Sequence, residues 1–148
     1  MIKVFIDQGH NPTNPNAGAE GSGLREQDLV YEIGIRLAEL LNSDPEFEAR
    51  LSRNSPSEIL GETTAQSLRA RTDAANSWGA DIFISLHANA STISSASGNE
   101  GLVYKIPSAA YTLSEDILTE LSLATGLQDR GTTARPGLYV LRKTTMPA

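Results

Sequence analysis

The sequence predicts an α/β fold: a single domain in which a twisted, mostly parallel sheet is flanked by helices. Three observations carry this expectation. Short β-branched apolar runs (IKVFI, IFISL) alternate with longer segments whose apolar residues repeat at helical spacing, the pattern of βαβ units. A length of 148 residues suits one domain able to bury a core without covalent staples. No internal repeat, low-complexity tract or interdomain linker interrupts the chain.

Taken in order, residues 2–6 read as a buried strand. Residues 7–23 (DQGHNPTNPNAGAEGSG) hold four Gly, two Pro and three Asn, which is loop chemistry. So long a connection inside a compact domain is commonly functional. Residues 24–42 predict a helix, with Leu29, Ile33, Leu37, Leu40 and Leu41 on one apolar face. A short strand is expected at 49–52. A second helix over 64–78 carries Leu68, Thr72, Ala75 and Trp78 on one side. Residues 82–86 are the second clear buried strand, and 90–99 a Ser/Gly/Asn loop. A strand at 101–105 leads to a third helix over 109–124, carrying Leu113, Ile117, Leu118 and Leu121 and closed by Gly126. Residues 138–141 read as a final strand. The sequence then reaches Met146-Pro147-Ala148 with no closing element.

Composition excludes several functions. Twelve Lys and Arg against 18 Asp and Glu give a net charge of −6. That balance argues against non-specific nucleic-acid binding and against a polybasic membrane patch. No apolar run approaches the roughly 20 residues that span a bilayer. Met1 is followed at once by a strand-like run, not by a signal peptide. With no cysteine there is neither a disulfide framework nor a thiolate ligand or nucleophile.

The chain has two histidines, and both sit at strand ends. His10 lies four residues past the first apolar run, and His87 directly follows the second, in SLHAN. Ligands of open α/β sheets bind outside the carboxyl ends of the strands. If the two strands are parallel, both imidazoles reach one edge. Glu26 opens the first long helix after the Gly-rich loop, which brings it to the same edge. An acidic residue there is also favoured by the helix dipole alone, and Asp28 is a rival in the same turn. Two His and one carboxylate form the three-ligand set of a catalytic zinc, with a fourth position for water. So few oxygen donors argue against calcium or magnesium, while non-haem iron uses the same set. Zinc lowers the pKa of its water to about 7 and polarises a carbonyl, so amide or ester hydrolysis is the natural chemistry.

Other residues are weighed against this centre. Asp7 is placed to accept a ring N–H from His10. Arg71 is placed to pair with a carboxylate and brace the sheet edge. The glycines of residues 18–23 do not directly follow a strand and no Gly-Lys-Ser/Thr is present, so a phosphate loop is excluded. Ser22 and Ser85 lack the G-x-S-x-G elbow of serine hydrolases.

The segments FIDQGHNP, GLREQDL, RARTDAAN, ADIFISLHANA, EGLVYK and DRG…LYVLRKTTMPA occur in an order that resembles the zinc-dependent N-acetylmuramoyl-L-alanine amidases of the Amidase_3 type. The resemblance covers essentially the whole chain. It implies that His10, Glu26 and His87 ligate one zinc ion. It implies a peptidoglycan hydrolase that cuts the amide between N-acetylmuramic acid and L-alanine by zinc-activated water. The partner expected is peptidoglycan, met by a monomer without nucleic acid or membrane. The setting expected is the cell wall or the extracellular space, as for a phage lysin, a sporulation enzyme or an excised domain.

The sequence departs from the family twice. Gln8 stands where the family usually has Pro, with little chemical effect expected. The family's general-base glutamate follows the Met-Pro-Ala turn in a closing strand, so the resemblance places the base beyond Ala148 and leaves no catalytic base assigned within residues 1–148. The fold is therefore expected to lack its C-terminal strand and helix, with residues 1–148 a truncated catalytic domain. Glu20 and Glu100 are the loop carboxylates that stand nearest to a substitute. The alternative function is a catalytically impaired relic that binds zinc or peptidoglycan without the second glutamate.

Overall fold

A computed structural model describes residues 1–89 and 96–148. Most of the Ser-rich loop expected at 90–99 lies outside the described residues. The chain divides into two compact units, the first being the described residues up to 89 with 144–146, the second the remainder.

The first unit is built on strand β1 (Ile2–Gln8), the two-residue strands β2 (Glu20–Gly21) and β3 (Leu24–Arg25), helix α1 (Glu26–Asn42), strand β4 (Phe47–Leu51), helix α2 (Thr64–Trp78) and strand β5 (Ile82–Leu86). Its main sheet has the order β4-β1-β5, and both pairings are parallel. On one face Val4, Ile6, Ala38 and Ala49 form the core, joined by Leu37, Leu41, Ile82, Ile84 and Leu86. Fully burying a side chain such as Val4 or Ile6 is worth about 1.5–3 kcal/mol. On the other face the Phe5 ring stacks on Phe83 at 5.8 Å and lies 6.4 Å from Trp78. A central strand with apolar residues on both faces explains the consecutive Val4, Phe5 and Ile6.

The face of α1 that packs differs from the expected one. Val30, Tyr31, Gly34 and Ala38 are buried, while Leu29, Ile33 and Leu40 are exposed. Leu37 and Leu41 do pack on the core. Gly34 fixes this rotation, because Gln8 of β1 occupies the space that a side chain there would need: a Cβ would lie 2.5 Å from Gln8 Cγ. Helix α2 begins at Thr63, whose side chain accepts from Gln66 N, and ends at Gly79 with φ 69°. Thr145, in the same unit, donates its N–H to Asn76 Oδ1 at 3.0 Å.

The second unit contains strand β6 (Asn99–Val103), helix α3 (Ala109–Thr125), strand β7 (Asp129–Ala134) and helix α4 (Tyr139–Lys143). β6 and β7 pair in parallel, with Val103 and Leu118 of α3 buried. Gly126 ends α3 at φ 70°, as the sequence predicts, and the Ser108 side chain caps its start. Residues 138–141, expected as a strand, are not one: 139–141 lie instead in helix α4. The turn at Arg135–Leu138 closes at 3.1 Å, and Arg142 N then bonds Leu138 O at 3.1 Å, so the backbone is satisfied locally rather than across a sheet. The parallel strands flanked by helices are those of an α/β fold.

Candidate metal centre

β1 and β5 pair in the register Gln8↔Leu86, so their carboxyl ends finish side by side. His87 directly follows one end and His10 lies two residues past the other. Between them Gly9 extends the pairing, its N–H donating to Leu86 O at 3.0 Å. A Cβ on Gly9 would lie 2.6 Å from both His87 Cε1 and Leu86 O, so only glycine lets the imidazole rest here. His10 itself takes φ 67°, a left-handed conformation that histidine accepts better than most residues. That turn brings its ring edge-on to His87, with centroids 4.8 Å apart.

Glu26 arrives from α1. Arg25, the residue before the helix, makes no side-chain cap. The loop backbone closes the helix instead. Glu26 N donates to Ala19 O at 2.9 Å, and Ala19 N returns a bond to Glu26 Oε2 at 3.1 Å. Ala88 N donates to Glu26 Oε1 at 3.0 Å. The carboxylate is thus fixed from the loop and from the His87 segment at once. Gly18 makes room for it, since a Cβ there would lie 3.0 Å from both Glu26 Cβ and His10 Cδ2.

Three donor atoms converge. His10 Nε2 and Glu26 Oε1 are 3.2 Å apart, His87 Nδ1 and Glu26 Oε1 3.1 Å, and the two imidazole nitrogens 3.1 Å. Zinc bonds of about 2.0–2.2 Å at tetrahedral angles separate their ligand atoms by roughly 3.3–3.6 Å. The observed triangle comes within about 0.2 Å of the lower bound, inside the tolerance for a metal site. The donor set and its spacing therefore fit zinc.

Electrostatics favour the ligand forms. The His10 pKa is lowered, chiefly by burial and further by His87, against the opposing pull of Glu26. Burial pushes Glu26 up, but the Ala19 and Ala88 amides and the two histidines outweigh it and hold the carboxyl below its ordinary value. Neutral imidazole and ionised carboxylate are the forms that bind metal. The His87 side chain is 47% exposed and Glu26 only 9%, so the triangle opens to solvent on the His87 side.

Other expected residues fall elsewhere. Asp28 turns outward to Arg25 at 3.1 Å and does not join the triangle. Asp7 does not accept from the His10 ring. Its two oxygens accept from Arg71 Nη1 and Ser85 Oγ, both at 2.7 Å. Arg71 does pair with a carboxylate, as the sequence reading has it. Glu20 pairs with Arg25 at 3.0 Å, and Glu100 with Arg130 in the second unit. The roles of Ala19 and Ala88 were not read from sequence, because backbone amides carry no residue signature.

Comparison with known proteins identifies the family. A family model described as N-acetylmuramoyl-L-alanine amidase matches residues 4–148. A sporulation-specific N-acetylmuramoyl-L-alanine amidase of Bacillus subtilis is 36% identical over all of this chain and 54% of its own length. The endolysin of Bacillus phage SPP1 is 32% identical over 98% of this chain and 51% of its own. The chain thus spans about half the length of the curated relatives it matches. Among solved structures, the catalytic domain of CwlV from Bacillus (Paenibacillus) polymyxa superposes with a TM-score of 0.84 at 30% identity, covering 99% of this chain and 76% of that one. The CwlD amidase of Clostridioides difficile, solved with the GerS lipoprotein, gives 0.87 at 25% identity, covering 99% and 79%. With residues 4–148 matched, the chain belongs to the N-acetylmuramoyl-L-alanine amidase family, Amidase_3.

Proposed function

We propose that this chain acts in cell-wall hydrolysis, cutting the amide between N-acetylmuramic acid and the L-alanine of the stem peptide. The observation that supports this best is the donor triangle of His10, Glu26 and His87, with sides of 3.1–3.2 Å. Those three residues are proposed to hold one zinc ion per chain, which supplies a Lewis acid for water and for the scissile carbonyl. Glu26 stays ionised, tied through both oxygens by the Ala19 and Ala88 amides. His10, its pKa lowered by burial, stays neutral, and the half-exposed His87 leaves room for a polymeric substrate. Among the described residues no further carboxylate joins the triangle. The general base is proposed to be the glutamate that the family carries after its Met-Pro-Ala turn. Peptidoglycan is the proposed partner, met by a monomer, and the cell wall the proposed place of action.

The test is digestion of purified peptidoglycan by the 148-residue chain and by one extended with the family's closing segment. The expected product is peptide with a free L-alanine amino terminus, released from intact glycan. A positioned general acid–base contributes about 10²–10⁴-fold, so the extended chain should be faster by that order. Cleavage within the peptide or the glycan instead would overturn the assignment.

A further inference from the structure

Beneath the donor triangle lies a buried polar layer, and Arg71 of α2 is its hub. Its side chain is 1% exposed. Nη1 donates to Asp7 Oδ1 at 2.7 Å and to the Gln8 carbonyl at 2.6 Å. Nη2 donates to the His10 carbonyl at 2.6 Å and to Asn11 Oδ1 at 3.2 Å. Nε reaches Ser67 Oγ at 3.4 Å. The two carbonyls belong to the peptide planes that bracket Gly9 and His10. Holding both sets the left-handed turn that aims His10 Nε2. The charge is balanced by Asp7, whose other oxygen accepts from Ser85 of β5, two residues before His87. One guanidinium therefore touches the supports of both histidines.

We propose that Arg71 is a positioning residue for the metal centre, acting through the His10 main chain rather than through contact with metal or substrate. This rests on the metal reading above. A planar fork serves two carbonyls at fixed spacing, whereas the lysine ammonium is a compact charge whose rotatable N–H groups all lie on one nitrogen. Arg71→Lys keeps the charge beside Asp7 and gives up the clamp.

The experiment measures the zinc dissociation constant by chelator competition, the visible spectrum of the cobalt-loaded protein, and the melting point of the metal-free chain. Arg71→Lys should weaken zinc about 10–100-fold and alter the cobalt spectrum. Ser67→Ala, which removes one acceptor of Arg71, should give a smaller loss in the same direction. Ile82→Ala, at the far end of β5, should lower the melting point and leave zinc affinity unchanged. Unchanged zinc affinity and cobalt spectrum in Arg71→Lys, beside a lowered melting point, would make Arg71 merely structural. If Arg71→Lys does not fold, Ser67→Ala decides alone: a zinc loss beyond that of Ile82→Ala supports the role, and none overturns it. A wild-type chain that takes up no zinc would overturn the metal reading and this inference with it.

Discussion

Gly9→Ala is the sharpest single perturbation the site offers. The added methyl would sit 2.6 Å from His87 Cε1, 2.8 Å from His87 Nε2 and 2.6 Å from Leu86 O. Carbon contacts settle at about 3.5–4.0 Å, so roughly 1 Å must be made up. Leu86 O is backbone and already accepts from Gly9 N at 3.0 Å, so the neighbour free to move is the His87 ring. The donor triangle has sides of 3.1–3.2 Å. Metal sites tolerate about 0.2 Å, several times less than the displacement required. Zinc affinity should therefore fall by an order of magnitude or more, and any hydrolysis by about 10²-fold. Overpacking should cost the fold a further 1–3 kcal/mol or about that. Chelator competition reads the first effect and urea denaturation the last. A Gly9→Ala protein that binds zinc like the wild type would refute the claim that this glycine is kept for the approach of His87.

Three further outcomes follow from the same geometry. Glu26→Gln keeps the shape of the side chain but removes its charge, so zinc, followed by mass spectrometry after dialysis, should be lost or weakened at least about tenfold. Gln8→Leu removes the buried amide that donates to Tyr31 O at 3.2 Å and accepts from Arg53 N at 3.0 Å. It should lower stability by about 1–3 kcal/mol in urea denaturation with zinc stoichiometry unchanged. Thr63→Ala removes the cap of α2, the helix that carries Arg71, and should cost about 1 kcal/mol in the same assay.

The site was more legible in the sequence than the packing around it. Two apolar runs marked β1 and β5, and a histidine past each run placed both donors at one edge, because parallel strands end together. Glu26 followed from the position of α1, although the sequence left Asp28 as a rival. The Ala19 and Ala88 bonds to Glu26 and the Arg25–Asp28 pair separate the two. Strand β7 was not expected, because DRGTTA has no apolar alternation and its extended state is set by pairing with β6. Residues 138–141 misled for the opposite reason. Four adjacent apolar residues carry no period, so strand and helix look alike. The buried face of α1 was misread where Leu29 and Ile33 outweighed Gly34, since hydropathy does not register a glycine that admits Gln8. Gln8 itself is more than a neutral replacement for proline. It joins β1 to α1 through Tyr31 O and to the Arg53 backbone, contacts that a proline has no groups to make.

Three side chains, one just past each of β1 and β5 and one opening α1, are proposed to hold one metal ion. Zinc stoichiometry of the purified 148-residue chain, measured beside His87→Ala, tests this most directly. About one zinc per chain, lost in the variant while the fold persists, is the predicted result. A folded wild-type chain without zinc, or a His87→Ala chain that keeps it, would contradict the account.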